Sequence, residues 1–163
     1  MGKNLEIKVM SRSEAQKTSY TVCVPLIIIS ITDISTNRNT FAKNPNIYSI
    51  LHLKFNDESD SDKSAINTEQ AKEIALFINI WKDMVELIIV HCEAGVSRSS
   101  GVAAGIMKYI NNDDMSIFEN PHFCPNITCY RKVLEAFGVE IDENELVNKE
   151  KKSIEAWKLF TEI

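Results

Sequence analysis

The sequence predicts an α/β domain with a central, mostly parallel sheet flanked by helices. Two observations lead to this fold class. Short aliphatic runs alternate along the chain with longer segments whose apolar residues recur at helical spacing, which indicates strands alternating with helices. One run, LIIV at residues 87–90, has four consecutive aliphatic residues, as is typical of a parallel strand whose two faces are both covered by helices.

The composition is that of an ordinary globular protein. The chain has 163 residues, of which 44% are hydrophobic and 25% are charged. A chain of this length falls in the single-domain range. We therefore expect one domain over residues 1–163, with 142–163 as a C-terminal helical extension.

Net charge and cysteine usage narrow the class of partner. A net charge of −5 gives no basic field that would attract nucleic acid or an acidic membrane surface, although one cationic pocket is compatible with a phosphorylated substrate. No apolar run approaches the roughly 18 residues of a membrane span, and the first residues do not resemble a signal peptide. The four cysteines form no zinc-like pair. We therefore expect a cytoplasmic protein with free thiols, no metal, no cofactor, and no nucleic-acid or membrane partner.

The first half of the chain contains two predicted strands and one predicted helix. The apolar run LIIISITD at 26–33 predicts a buried strand. In IYSILHLKFND at 47–57, apolar and polar residues alternate, which predicts a half-buried strand that ends before a polar, acidic loop. Residues 67–84 then carry apolar side chains at helical spacing, with Asn67 or Thr68 available as the N-cap.

A strand, a loop and a helix follow in immediate succession. ELIIVHC at 86–92 predicts a buried strand, and apolar residues spaced four apart predict a helix over 97–110. Gly101 and Gly105 would let this helix approach its neighbours closely.

Two more helices are predicted towards the C-terminus. The first begins after Pro125, with Asn126 as its N-cap, and ends at Gly138. The charged tail predicts the second, which we expect to dock through Ile154, Trp157 and either Phe160 or Leu159.

The loop in HCEAGVSRSS, residues 91–100, joins the end of a buried strand to the start of a helix. Its amides would converge on one point in front of the positive end of the helix dipole, and such a concave nest of N–H groups suits a tetrahedral anion. Arg98 adds a planar fork that can hold two phosphate oxygens. The predicted phosphate-binding groups are therefore the guanidinium of Arg98 and the backbone of Glu93, Ala94, Gly95, Val96, Ser97 and Arg98.

The same loop predicts nucleophilic catalysis. The positive field that binds phosphate also favours the ionised thiolate of Cys92, which can attack phosphorus and form a thiol-phosphate intermediate. Ser99 can donate a hydrogen bond to the sulfur and ease its departure in the second step. We expect His91 to orient the loop through its ring nitrogens.

A thiolate cannot protonate the departing oxygen, so a general acid on another loop is required. The candidate is Asp57, at the end of a predicted strand whose carboxyl end would lie at the same sheet edge as the loop. Asp60 and Asp62 on the same acidic segment are rivals that spacing does not separate from it.

These residues resemble a known family. HCEAGVSRSS matches the signature H-C-x-x-G-x-x-R-S of the cysteine-based protein tyrosine phosphatases and is most similar to their small dual-specificity branch, of bacterial type. FND at 55–57 and PN at 125–126 also resemble segments of that branch, and the resemblance covers roughly residues 20–137. It implies that Cys92 is the nucleophile, that Asp57 is first acid and then base, and that Asn126 helps to fix the active-site loops.

The predicted function is hydrolysis of phosphomonoesters of the tyrosine or dual-specificity phosphatase type. The substrate would be a phosphorylated protein or a small phosphomonoester, and phosphate, sulfate or vanadate would bind the loop. The chain lacks the WPD acid loop and the Tyr-bearing substrate loop of the tyrosine-specific enzymes, which favours a shallow site. The alternatives are a non-catalytic phosphate-binding module of the same fold, an inositol-phosphate phosphatase, and a sulfur-transfer or arsenate-reducing enzyme.

Overall fold

The sheet has four strands, all parallel. A computed structural model of the chain describes residues 4–162. In this part of the chain the sheet order is β1-β4-β2-β3, and each neighbouring pair is parallel. The strands are β1 (Glu6–Met10), β2 (Leu26–Thr32), β3 (Ile47–Lys54) and β4 (Leu87–His91). The prediction of a mostly parallel central sheet is therefore confirmed.

Helices connect and cover these strands. They are α1 (Arg12–Thr21), α2 (Thr68–Trp81), α3 (Arg98–Asn111), α4 (Met115–Phe118), α5 (Ile127–Phe137) and α6 (Glu143–Thr161). Four of them, α2, α3, α5 and α6, were predicted from the sequence. Asn67 caps α2 and Asn126 caps α5 through their side-chain oxygens, and Gly138 ends α5 with a φ of 72°.

The first strand and the first helix were not predicted from the sequence. β1 is only five residues long and partly exposed, so its alternation is weak. A stronger signal was available for α1, because Ser11 and Glu14 form a capping box, which the sequence shows as S-x-x-E.

The central strands β2 and β4 are buried along their whole length, because helices cover both faces of the sheet. On one face, Ile27, Ile29 and Ile31 belong to the core that includes α2, α3 and α5. On the other face, Leu26 and Ile28 pack with Ala15 of α1. This arrangement confirms the interpretation of LIIV and LIIISITD as strands of a helix-covered parallel sheet.

Two glycines allow α3 and α5 to cross in close contact. A Cβ on Gly101 would lie 2.4 Å from the carbonyl oxygen of Asn126, and one on Gly105 would lie 2.6 Å from Cγ1 of Val133. The predicted close approach is therefore confirmed. It sets the N-terminus of α5 beside the first turn of α3.

The last helix is buried chiefly at residues other than those expected, although Phe160 packs edge-on against His122 with ring centroids 4.5 Å apart. Leu146, Lys149 and Ser153 are its buried positions, whereas Leu159 is 70% exposed and Phe160 is 43% exposed. Ile154 and Trp157 are half-buried, as expected. The periodicity of apolar residues predicted that the C-terminal half of α6 contacts the domain. In the structure, buried Lys149 holds the N-terminal half of α6 against the domain.

No helix within residues 4–162 is long and apolar enough to cross a membrane.

Candidate active site

The candidate site lies at the carboxyl edge of the parallel sheet. Cys92 follows β4, Asp33 follows β2, and Phe55 to Asp57 follow β3. Because parallel strands end at the same edge, segments that are far apart in the sequence meet there.

Residues 92–98, called the phosphate loop below, are tightly curled. Although Ser99 is seven positions after Cys92, its hydroxyl lies 3.0 Å from Sγ of Cys92. Gly95 has a φ of +71°, and a Cβ there would lie 2.6 Å from the backbone of Met10 and Ser11. Only glycine fits this position, because the loop needs both the left-handed conformation and close contact with the end of β1.

The carbonyl groups of the loop are turned towards protein donors. The carbonyl of Glu93 accepts from the amide of Arg12, and those of Val96 and Ser97 accept from the amides of Cys124 and Asn126. In a trans peptide the carbonyl and the next N–H point in opposite directions. The N–H groups of residues 94, 97 and 98 therefore face away from these donors, as a nest for an anion requires.

Arg98 is buried and anchored through one nitrogen. Its Nη1 donates to Oδ1 of Asp33 at 2.6 Å and to the carbonyl of Phe55 at 2.9 Å. These two contacts use both hydrogens of Nη1 and leave the edge formed by Nε and Nη2 for bidentate binding of an oxyanion.

Asp33 was not among the site residues predicted from the sequence. The signal for it was its place directly after the apolar run LIIISIT, where a strand of a parallel sheet ends. An acidic residue at that edge is a natural counter-ion for a buried arginine.

His91 is fully buried beneath the loop, with both ring nitrogens in contact with polar groups. Its Nδ1 is 3.1 Å from the carbonyl of Cys92, so Nδ1 carries the proton and Nε2 accepts from Ser30 and Asn39, at 2.6 and 3.4 Å. Burial, with smaller contributions from nearby charges, lowers the pKa of His91 to about 4. The ring is therefore neutral near pH 7 and orients the loop.

Asp57 is held against the phosphate loop. Its Oδ1 accepts from the hydroxyl of Ser97 at 2.8 Å and from Nδ2 of Asn126 at 2.9 Å. Asn126 also caps α5, because its Oδ1 accepts from the amide of Cys129. The rival acids lie elsewhere: Asp60 pairs with Lys132, and Asp62 accepts from Ser64.

Of the remaining cysteines, Cys124 and Cys129 lie near the site, whereas Cys23 is exposed and lines a cleft beside the starts of β1 and β4. All four cysteines of the chain are free, as predicted. Burial is the main cause that raises the pKa of Cys124 and of Cys129, so both favour the protonated form and suit a packing role. Cys124 lines a shallow cleft of about 330 Å³ beside the acid, together with Asp57, Ser97, Glu150 and Ile154.

Among the described residues, no group of three or more His, Cys, Asp or Glu side chains is arranged to hold a metal ion.

Comparison by sequence and by structure gives different results. No protein-family model matches this sequence, and no curated protein sequence matches it either. Solved structures are similar to it. A human tyrosine phosphatase-like serine/threonine/tyrosine-interacting protein is 19% identical with a TM-score of 0.60, and the alignment covers 79% of this chain and 89% of that one.

Two further structures have the same fold. The Yvh1 phosphatase domain from Chaetomium thermophilum is 14% identical with a TM-score of 0.54, covering 85% of this chain and 92% of that one. Human DUSP28 is 12% identical with a TM-score of 0.54, covering 81% of this chain and 91% of that one.

The chain therefore shares its fold with a phosphatase domain and with a tyrosine phosphatase-like protein. The fold class inferred from the sequence is confirmed. Identities of 12–19% show the fold, so activity is argued below from the side chains of the site.

Proposed function

We propose that this protein is a phosphomonoester hydrolase that works through a thiol-phosphate intermediate on Cys92. One observation carries the proposal: the curled phosphate loop joins a buried thiol and an anchored guanidinium, and Asp57 is hydrogen-bonded to the same loop. Nucleophile, oxyanion-binding groups and acid are the three parts that the reaction needs.

In the first step the thiolate of Cys92 attacks phosphorus. The S–P bond forms as the bond from phosphorus to the leaving oxygen breaks, and protonated Asp57 gives its proton to that oxygen. The products are an alcohol or phenol, the thiol-phosphate and the Asp57 carboxylate. The equatorial oxygens stay on the loop amides and the free edge of Arg98.

In the second step a water molecule attacks the thiol-phosphate. Asp57 takes a proton from the water, the S–P bond breaks, and inorganic phosphate and the Cys92 thiolate are released. The hydroxyl of Ser99, 3.0 Å from the sulfur, stabilises the departing thiolate with a hydrogen bond.

The open site suits a phosphate on a protein side chain or on a small molecule. Asp57 is exposed, and the cleft beside it is shallow. Phosphate, sulfate and vanadate are the simple anions that should occupy the loop. Because all four cysteines are free, a reducing cytosol is the location that we propose. That the protein is of the bacterial type of the small dual-specificity branch stays a prediction.

A binding module is the second candidate. One protein of the same fold is described as a tyrosine phosphatase-like interacting protein, so the fold alone does not decide between catalysis and binding. The presence of the thiol, the arginine and the acid at one site favours catalysis.

The test is release of p-nitrophenol from p-nitrophenyl phosphate. We expect turnover by the unmodified protein, loss of at least about 1000-fold in Cys92→Ser with retained binding of inorganic phosphate, and near-normal turnover in the control Cys124→Ser. Phosphate binding without turnover by the unmodified protein would establish the binding module instead. Turnover that survives in Cys92→Ser would exclude the thiol-phosphate mechanism.

A further inference from the structure

Ser97 has a side-chain contact that its position does not explain. It precedes α3 as its N-cap residue, and serine is a preferred residue there because its hydroxyl usually accepts from a first-turn amide. Here the hydroxyl makes no such bond and donates instead to Oδ1 of Asp57 at 2.8 Å. Helix capping is therefore not its role.

Asn126 donates to the same oxygen of the acid. Of the two hydrogens on its Nδ2, one goes to Oδ1 of Asp57 and the other to the carbonyl of Glu58. Its own amide donates to the carbonyl of Ser97 at 2.9 Å. One oxygen of Asp57 thus accepts hydrogen bonds from two residues, Ser97 and Asn126, and these two residues are themselves hydrogen-bonded through their backbones.

This arrangement leaves the two oxygens of Asp57 unequal. An oxygen that accepts two hydrogen bonds is best used as the carbonyl oxygen of the protonated acid, because the O–H oxygen is the poorer acceptor. Within residues 4–162 no side chain or amide donates to Oδ2. The proton of the acid form therefore belongs on Oδ2, free to be transferred.

We propose that Ser97 is a positioning residue that keeps the proton of Asp57 on Oδ2 and keeps that oxygen at a fixed position relative to the phosphate loop. This inference rests on the proposed function and deepens it, because a backbone role alone was expected for Ser97. Ser97 directly precedes Arg98 in the loop. Its hydrogen bond therefore connects Asp57 to the segment that would hold the transferring phosphoryl group.

The consequence is a dependence on the leaving group. Protonation matters most when the departing oxygen is strongly basic, as in phenyl phosphate, and least when it is weakly basic, as in 2,4-dinitrophenyl phosphate. Removing the hydroxyl should therefore slow the first ester more than the second. A general loosening of the loop would slow both by the same factor.

The experiment measures kcat/KM for both esters in Ser97→Ala, Ser97→Thr and Ser100→Ala, because kcat/KM reports the first step, in which the leaving group departs, whereas kcat also includes hydrolysis of the thiol-phosphate, which is common to both esters. We expect Ser97→Ala to lose on the order of tenfold more on phenyl phosphate than on the dinitrophenyl ester. Ser97→Thr, which keeps the hydroxyl, should restore the ratio. Ser100→Ala is the matched control, because its hydroxyl contacts the carbonyls of Val96 and Ser97 and makes no contact with Asp57.

A double-mutant cycle completes the test. If Ser97 acts through Asp57, adding Ser97→Ala to Asp57→Asn should cause no further loss on phenyl phosphate. Equal losses on the two esters in Ser97→Ala, or full additivity with Asp57→Asn, would overturn the inference while leaving the phosphatase standing. Absence of turnover by the unmodified protein would overturn the proposed function and the inference with it.

Discussion

Arg98 is the residue whose role depends most on a partner that is distant in the sequence. A free guanidinium on a loop can rotate, and a bidentate grip on phosphate requires that it does not. Asp33 and the carbonyl of Phe55 hold Nη1, so the remaining edge is preorganised before any anion arrives. The side chain of Arg98 is 7% exposed, which strengthens the contact with Asp33 relative to a surface pair.

Removing the anchor should therefore impair oxyanion binding. We expect Asp33→Ala to lower kcat/KM for p-nitrophenyl phosphate by roughly 10- to 100-fold, because a hydrogen bond to a charged group contributes about 1.5–3 kcal/mol. Asp33→Asn keeps an acceptor oxygen and should lose less. Asp62→Asn is the control, because Asp62 is an exposed acid whose side chain accepts hydrogen bonds from Ser64. Unchanged kcat/KM in Asp33→Ala would show that Arg98 needs no anchor.

His91, buried beneath the loop, should make the free energy of unfolding depend on pH. Above its ordinary pKa of 6.5 the ring is neutral in both folded and unfolded chains, so it adds no pH dependence. Between pH 6.5 and about 4 only the unfolded chain takes up the proton, because burial, more than the nearby charges of Arg12, His52 and Arg98, holds the folded pKa at about 4. The free energy of unfolding must therefore fall as the pH falls through this range.

The size of this effect can be measured by urea unfolding. From pH 6.5 to about 5 we expect His91 to cost about 2 kcal/mol of unfolding free energy. His91→Asn should be less stable at pH 7 but should show that much less pH dependence. His52→Asn controls for a half-buried imidazole whose pKa is also lowered, chiefly by burial. An unchanged slope in His91→Asn would contradict the assignment.

At the scale of elements, the crossing of α3 and α5 decides where Asp57, the proposed acid, is held. Gly101 lets the carbonyl of Asn126 approach α3, and that approach brings Asn126 into contact with Ser97 and Asp57. A methyl group on Gly101 has no room, since the obstructing atom belongs to the backbone. The site therefore depends on a glycine that takes no part in chemistry.

Gly101→Ala should separate the two helices locally. We expect a loss of about 1–3 kcal/mol in unfolding free energy, typical of overpacking, together with a larger loss of kcat/KM on phenyl phosphate than on the dinitrophenyl ester. Gly138→Asn is the matched control, because nothing lies within 4 Å of a Cβ there and asparagine tolerates its left-handed conformation. A fully active, stable Gly101→Ala would contradict this account.

The elements also differ in how well they could be predicted. β2 and β4 were predictable, because a fully buried strand has a continuous run of apolar residues. α2 was predictable, because it has an N-cap residue and its apolar residues recur at helical spacing. β1 lies at the sheet edge with much of its surface exposed, so its pattern is diluted. The capping box at the start of α1 was a sequence signal for that helix, but the prediction made no use of it.

At the scale of the whole molecule, α6 is fastened to the domain by a buried polar cluster. Nζ of Lys149 donates to Oδ2 of Asp114 at 2.7 Å, and the hydroxyl of Tyr130 donates to the same oxygen at 2.6 Å. Burial alone would lower the pKa of Lys149, but its bonds to Asp114 and Glu145 outweigh burial and raise it. The ion pair is therefore fully charged at neutral pH.

Breaking the pair should destabilise the whole fold. Lys149→Met leaves the carboxylate of Asp114, 2% exposed, without its cation, and the expected loss of unfolding free energy is about 3–5 kcal/mol. The double variant Lys149→Met with Asp114→Asn should recover most of that loss. Lys151→Met, an exposed position on the same helix, should change stability by less than about 0.5 kcal/mol in urea unfolding. Equal stability of the two lysine variants would show that α6 is not fastened here.

The sequence by itself determined the alternation of strands and helices, the caps of α2 and α5, and a contiguous loop in which a thiol and a guanidinium are near neighbours. Each of these is local, because periodicity, capping and a strand-to-helix loop are encoded by residues within a few positions of one another. Only the tertiary structure decided the partners: Asp33 for Arg98 across 65 residues, Asp57 for Ser97 across 40, and Asp114 for Lys149 across 35. Such pairs depend on which strands lie side by side and how closely two helices cross, and no pattern within a single segment specifies either.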